Sequence, residues 1–224
     1  METIVISIGG SVLLSKDADD SFFQGFVKLM EKLSKQYKIY LVVGGGKTAR
    51  TYIQLGRTLN FNEEQLDEMG IEITRVNAKL LSNILIFSNK KIPHTTGEAK
   101  KLKNPVVIMG GTTPGHSTDM VAAELAEKTN ASKFIIATNV DGVYDKDPNK
   151  YNDAKQIKEI SIKKLIDEHG TDWDVAGKNV VIDGPALKII NKSKIPTFVL
   201  NGKKLDQLEK AITGQSFNGT KIKK

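Results

Sequence analysis

Residues 40–52 read YLVVGGGKTARTY. An apolar, β-branched run, three consecutive glycines and then a helix-compatible segment carrying Lys47 and Arg50 are the pattern of a buried strand that turns directly into a helix. Without a Cβ, successive glycines let backbone N–H groups approach an oxyanion closely, and the helix start behind them adds a favourable dipole. Phosphate is the natural guest, with Lys47 and Arg50 on the first turn or so of the helix.

Outward from this stretch the same alternation recurs. TIVISI and KIYLVV read as strands, and SFFQGFVKLMEKLSKQ and KTARTYIQLGRTL as helices, which is a βαβα beginning. VNAKLLSNILIFSN continues as a helix, followed by a short strand pair around KKIPHT and NPVVIMGG, a helix at STDMVAAELAEKT and a strand at KFIIATNV. ISIKKLIDEHG and GPALKIINKS read as helices, IPTFVL as a strand, LDQLEKAITG as a closing helix and TKIKK as a frayed basic end. The strands are continuous apolar runs, so both faces are buried and the sheet is mostly parallel. The expected fold is therefore α/β: one three-layer αβα sandwich spanning residues 1–224.

Four apolar runs lead straight into Gly-rich or Asp-rich loops: IVISIGGS, YLVVGGGK, VVIMGGTTPGHSTD and FIIATNVDGVYDKDP. In a parallel sheet the carboxyl ends of the strands form one crevice, so the four loops are expected to converge there as a ligand site. Two familiar phosphate motifs do not account for them. Gly46-Lys47-Thr48 mimics the end of a Walker A loop, but position 41, where the first glycine belongs, is Leu. Gly44, Gly46 and Ala49 fit a dinucleotide fingerprint, yet the acidic residue expected to close the next strand is replaced by RTLNFNEEQLDEMG, which reads as helix or loop. Ser117, Thr118 and Asp119 read as an N-cap cluster. His116 has no partner that suggests a triad and reads as solvent-facing or substrate-lining.

Composition narrows the classes further. The 224 residues carry a net charge of +7, but the lysines are spread along the chain without interleaved aromatics, which argues for a solvated lysine surface rather than a nucleic-acid footprint. Only Arg50, Arg57 and Arg75 are arginines, and Arg is the better bidentate partner for phosphate. With no cysteine, disulfides, thiolate metal sites and cysteine nucleophiles are excluded, and a cytoplasmic location is expected. No apolar stretch approaches the ~20 residues of a membrane span and no leader pattern is present.

Taken in order, ISIGGS, VVGGGKTAR, LDEMGIEITRVNA, MGGTTPGHSTD, ATNVDGVYDKDP and VIDGPALKI resemble the amino acid kinase superfamily, and within it the archaeal-type UMP kinases, over essentially the whole chain. TNVDGVYDKDP is the most specific piece. The resemblance implies MgATP-dependent phosphorylation of UMP to UDP by a homohexamer built as a trimer of dimers, with a UMP-binding part at roughly 1–130 and an ATP-binding part at roughly 131–224. By position it implies that Gly9, Gly10, Ser11, Gly46, Arg50, Thr138, Tyr144 and Asp147 hold ATP. Gly45, Asp67, Thr112, Thr113, Pro114, Gly115, His116, Ser117 and Thr118 are implied for UMP, with Asp67 on the ribose hydroxyls. Asp183 matches a carboxylate that organises the transfer site. Mg²⁺ is expected to arrive with ATP, with no dedicated protein cage.

One departure stands out. Relatives place a lysine in the first strand just before the glycines, where this chain has Ser7, so Lys47, Arg50 and Mg²⁺ are the candidates for neutralising the transferred charge. Kinases of other small acceptors (isopentenyl phosphate, an amino acid, carbamate) are the rivals within the family, and a non-catalytic nucleotide-binding module is the rival outside it. Isopentenyl phosphate kinases typically read GGGSFGH where this chain reads GGGKTAR. Trp173 reads as a packing residue.

Overall fold

The computed structural model describes residues 1–14, 20–171 and 182–224; Trp173 lies outside them. A seven-stranded sheet runs in the order β3-β2-β1-β4-β8-β9-β7. Its strands are β1 (Glu2–Ile8), β2 (Tyr37–Val43), β3 (Val106–Met109), β4 (Lys133–Thr138), β7 (Glu159–Ser161), β8 (Thr197–Asn201) and β9 (Thr220–Lys223). The five strands from β3 to β8 are mutually parallel, β9 runs antiparallel to β8, and β7 parallels β9. A two-stranded hairpin, β5 (Val143–Tyr144) with β6 (Gln156–Ile157), stands beside it.

Both faces of the central strands are buried, as their unbroken apolar runs require. Ile4, Ile6, Ile8, Ile39 and Leu41 pack with α2 (Asp20–Leu33), α4 (Glu63–Ile84) and α9 (Leu205–Thr213). Their alternates Val5, Val42, Val107, Phe134 and Ile136 pack with α6 (Thr118–Thr129), α7 (Ile162–His169) and α8 (Gly184–Ser193) on the opposite face. The result is the expected three-layer sandwich. The remaining helices are α1 (Gly10–Leu13), α3 (Gly46–Thr58) and α5 (Thr96–Lys101).

Three expectations are corrected. The helix placed at VNAKLLSNILIFSN begins far earlier, at Glu63, because Asn62 and Gln65 form a reciprocal capping box: the Asn62 side chain accepts from the Gln65 amide at 2.9 Å, and the Gln65 side chain accepts from the Asn62 amide at 3.0 Å. KKIPHT forms no strand; only a single bridge between Ser88 and Val106 marks that edge, and Thr95, whose side chain accepts from the Glu98 amide, starts α5 just beyond. TKIKK is not frayed. It forms β9, where Thr220 is fully buried and alternate residues face solvent.

Parallel pairing brings the carboxyl ends of β1, β2, β3, β4 and β8 to one rim. Backbone bonds extend the ladder into the loops there: Gly9 N–H donates to Ala137 at 2.9 Å, Gly44 N–H to Ile8 at 2.9 Å and Gly202 N–H to Thr138 at 2.8 Å. The first two glycine loops then meet main chain to main chain. A Cβ on Gly10 would lie 2.3 Å from the Gly46 nitrogen and 2.5 Å from the Gly44 oxygen; one on Gly46 would lie 2.6 Å from the Gly10 carbonyl carbon, and Gly46 has φ +65°. No side-chain rotamer relieves contacts between backbones. Gly10→Ala is therefore expected to lower the melting temperature by several degrees, whereas Gly97→Ala, whose Cβ would meet nothing nearer than 3.8 Å, is expected to be close to neutral. Parallel thermal unfolding of the two variants checks this.

Candidate active site

The rim is built from four loops and one organising helix. Gly9, Gly10 and Ser11 turn out of β1 into α1, and Gly44, Gly45 and Gly46 turn out of β2 into α3. Lys47 and Arg50 are exposed on the first turns of α3, and among the described residues neither has an ion-pair partner. Two cations and a helix start without a neutralising carboxylate make this corner attractive to an anion.

The loop at residues 110–117, after β3, is fixed by side chains from α4. Thr74 Oγ1 donates to the Ile71 carbonyl and accepts from the Gly111 amide, both at 2.6 Å. Gly110 lies so close to α4 that a Cβ would reach the Arg75 nitrogen at 2.8 Å. Arg75 Nη2 donates to the Thr112 carbonyl at 3.0 Å and Nε to the Gly111 carbonyl at 3.3 Å, while Glu72 holds its Nη1 at 2.6 Å. Asp67 Oδ2 accepts from the Gly115 amide at 2.6 Å. The same helix reaches the second glycine loop, with Asn77 Nδ2 donating to the Gly44 carbonyl at 2.9 Å. Within the loop, Thr113 and His116 contact each other through Oγ1 and Nδ1 at 3.3 Å, so His116 lines the loop rather than forming a triad.

Ser117 caps α6, its hydroxyl accepting from the Met120 amide at 2.9 Å. That hydroxyl also donates to Asp183, whose other oxygen caps α8 by accepting from the Ala186 amide at 3.0 Å. Asp119 departs from the expected capping role. Strand alternation points Ser7 toward α6, and its hydroxyl donates to Asp119 Oδ1 at 2.5 Å. Ser7 is buried. Asp119 keeps some surface at the rim, but its carboxyl is crowded by protein; burial first, and then the neighbouring Asp183 carboxylate, push it up to about 7 against the opposing Ser7 hydrogen bond. Position 7, where the resemblance leads one to expect a lysine, thus carries a hydroxyl serving a partly buried acid.

Thr138 ends β4 at the same rim, and Tyr144 stands half-buried in the β5–β6 hairpin. Asp147 lies in the hairpin loop with local contacts: its Oδ1 accepts from the Asn149 amide at 2.9 Å, and its Oδ2 faces Lys150 at 4.0 Å. Among the described residues no group of three or more His, Asp or Glu side chains could hold a metal by itself.

Sequence reasoning singled out the glycines, Asp67, the 112–118 stretch and Asp183. It missed Thr74, Asn77 and the Ser7–Asp119 pair, since nothing in a linear pattern pairs residues 112 positions apart. Arg75 carried one signal, as a rare arginine in a lysine-rich chain.

This arrangement is that of a known class. The amino acid kinase family model matches residues 2–201, and the chain belongs to that family. It is 45% identical over 222 residues to the uridylate kinase of Methanobrevibacter smithii, with 98% of each chain covered. It is 45% identical over 204 residues to the uridylate kinase of Methanocaldococcus jannaschii, covering 89% of this chain and 90% of that one. The crystal structure of uridylate kinase from Archaeoglobus fulgidus matches with a TM-score of 0.86 at 42% identity, over 99% of this chain and 100% of that one. UMP kinase from Ureaplasma parvum, at 24% identity and a TM-score of 0.76 over 100% of this chain and 99% of that one, shares the fold.

Because Asp119 binds its proton more tightly folded than unfolded, unfolding releases a proton between about pH 4 and pH 7, and its contribution to stability falls as pH rises through that window. Asp119→Asn keeps an acceptor for Ser7 and cannot ionise. Its melting temperature relative to the unsubstituted protein is expected to rise from pH 5 to about pH 7 and to level off above that, read by thermal unfolding in a buffer series.

Proposed function

We propose that this chain is a UMP kinase that transfers the γ-phosphoryl group of MgATP directly to the phosphate of UMP, forming UDP. The observation that carries the reading is the abutment of the Gly9–Ser11 and Gly44–Gly46 loops at the rim where the α4-braced 110–117 loop also arrives. Near-full-length likeness to uridylate kinases selects the acceptor. The acceptor oxygen already belongs to an ionised phosphate, so no general base is needed and catalysis reduces to positioning and charge neutralisation.

In this reading Gly9, Gly10, Ser11, Gly46 and Arg50 hold the phosphates of ATP, with Thr138, Tyr144 and Asp147 toward its nucleoside. Gly45, Asp67 and Thr112–Thr118 hold UMP. Asp67, already receiving the Gly115 amide, joins the base- and phosphate-binding loop to the ribose subsite; two hydroxyls on one ionised acceptor favour a ribonucleotide. The division into a UMP part at roughly 1–130 and an ATP part at roughly 131–224 follows the same assignment, within one domain.

Magnesium enters bound to ATP. It would be held mainly by phosphate oxygens and waters, with the Asp183 carboxylate placed to help hold it, and it would supply Lewis-acid neutralisation of the developing phosphate charge. Since Ser7 brings no cation, Lys47 and Arg50 supply the remaining positive charge from the protein.

The proposed assembly is a homohexamer, a trimer of dimers, working in the cytoplasm. Exposed Tyr52 and Leu55 on α3, Leu59 just beyond its end, and Val76 and Leu80 on α4 support association of copies. Among the described residues no helix is long and apolar enough to cross a membrane.

A coupled assay of ADP formation tests the reading. Turnover with UMP is expected to exceed that with CMP, dUMP and isopentenyl phosphate by at least about tenfold in kcat/KM, and absence of turnover with every acceptor would overturn it. Lys47→Ala is expected to lower kcat by about 10²-fold or more, and a kcat within a few-fold of the unsubstituted enzyme would remove Lys47 from the role. Leu55→Glu is expected to shift the solution mass from a hexamer toward smaller species in light scattering.

A further inference from the structure

We propose that Asp141 is a positioning residue for the donor nucleotide. Its carboxylate clamps the loop after β4 to the end of β8, to the loop that follows it and to the segment leading into the C-terminal strand, and so sets where Thr138 and Tyr144 stand. The proposal rests on the reading above that this end of the rim takes ATP.

Asp141 lies between those two residues in sequence, and its acceptor atoms are spent on other segments. Oδ1 accepts from Asn201 Nδ2 at 3.0 Å; Oδ2 accepts from Lys204 Nζ at 2.8 Å and from Asn218 Nδ2 at 3.4 Å. Its main-chain carbonyl accepts from Gln156 Nε2 at 2.6 Å, which ties it to the far strand of the hairpin. The three side-chain donors come from positions 60, 63 and 77 residues away, so the contacts are made only once the sheet has assembled.

The two asparagine donors are themselves held. Asn201 ends β8 and its Oδ1 accepts from the Lys203 amide at 3.1 Å. The Asn218 amide donates to Gln207 Oε1 of α9 at 2.6 Å, and Lys158 Nζ donates to Asn218 Oδ1 at 2.5 Å. The next two residues continue the clasp. A Cβ on Gly142 would lie 2.5 Å from Thr220 Oγ1, and the Val143 amide donates to that oxygen at 2.8 Å while Thr220 donates to the Ile157 carbonyl at 2.6 Å. The C-terminal strand, which lies beyond the stretch that matches the family model, is thereby built into the hairpin that carries Tyr144.

The charges agree with the geometry. Against the opposing effect of burial, the hydrogen bonds from Lys204 and Asn201 and the charges of Lys204 and Lys158 hold the Asp141 carboxyl below the usual range, while the Asp141 hydrogen bond chiefly holds the Lys204 ammonium above its own. Lys204 is about half exposed, so the pair's worth for stability is modest. Its consequence lies in where the loop is held.

The test is a set of variants, Asp141→Ala, Asp141→Asn, Lys204→Met and Lys204→Arg, with the double variant Asp141→Ala/Lys204→Met. Each is assayed for KM of ATP, KM of UMP, kcat and melting temperature, and for direct calorimetric binding of a non-hydrolysable ATP analogue with magnesium. Asp141→Ala is expected to raise KM for ATP and weaken analogue binding about tenfold, leaving KM for UMP within about twofold and kcat within about threefold. Lys204→Met is expected to follow it more weakly, Lys204→Arg to restore near-normal values, and the double variant to be no worse than Asp141→Ala, because both act through one contact.

Analogue binding in Asp141→Ala within twofold of the unsubstituted protein overturns the proposal, as does a parallel change in both KM values and kcat. Should Asp141→Ala fail to fold, Asp141→Asn and Lys204→Met decide by the same criteria. If the unsubstituted protein binds the analogue but phosphorylates no UMP, the acceptor reading falls while weaker analogue binding in Asp141→Ala still supports the clamp. If the unsubstituted protein does not bind the analogue, both readings fall.

Discussion

Two stretches of main chain, Gly9–Gly10 and Gly44–Gly46, touch each other with no side chain between them, and the site is arranged around that contact. Adjacent parallel strands sit about 4.8 Å apart. Loops leaving their ends can stay in contact only if nothing projects from them, and a Cβ on Gly10 or Gly46 would overlap backbone that cannot move aside. The Gly9 and Gly44 amides are spent on the sheet ladder, and the amides that follow them in the two loops lie side by side at one rim, with α3 starting behind them. An anion placed there meets donors fixed by the sheet itself, which need no reorganisation on binding.

The third loop is fixed in a different way. Residues 110–117 form no regular structure, and their backbone groups find partners on α4: Thr74 for the Gly111 amide, Arg75 for the Gly111 and Thr112 carbonyls, Asp67 for the Gly115 amide. Satisfying irregular backbone with side chains from one long helix makes loop and helix a single unit. Asn77 extends that unit to the Gly44 carbonyl. A displacement of α4 would move both the second and the third loop, which couples the two proposed nucleotide subsites mechanically.

The charge arrangement follows from one position. A lysine at residue 7 would have carried a cation into the corner beneath the glycines. Serine there cannot, and its hydroxyl instead serves Asp119, which stands against Asp183 with burial favouring its neutral form. Lys47 and Arg50 stand on the solvent side of the rim, on α3. In the proposed reading, positive charge thus comes from side chains with conformational freedom, in a site whose backbone donors are held by the sheet.

The βα alternation, the three-layer sandwich, the convergence of four loops and the glycines at the rim were all legible in the sequence, because each is a local signal: an apolar run of strand length, a helical period, a glycine placed at a strand end. The family motifs were contiguous as well, so the resemblance was readable over the whole chain. Tertiary structure decided what local signals do not contain. TKIKK has the composition of a frayed tail and becomes a strand only because β7 and β8 offer edges on either side of it. Asp119 looks like a cap and becomes the hydrogen-bond partner of a buried serine because alternation along β1 aims Ser7 at α6, and Asp141 gains its partners only when β4, β8 and β9 lie side by side. Sequence specifies which residues can form strands and tight turns; pairings between residues sixty or more positions apart arise from packing the assembled layers, which no local pattern encodes.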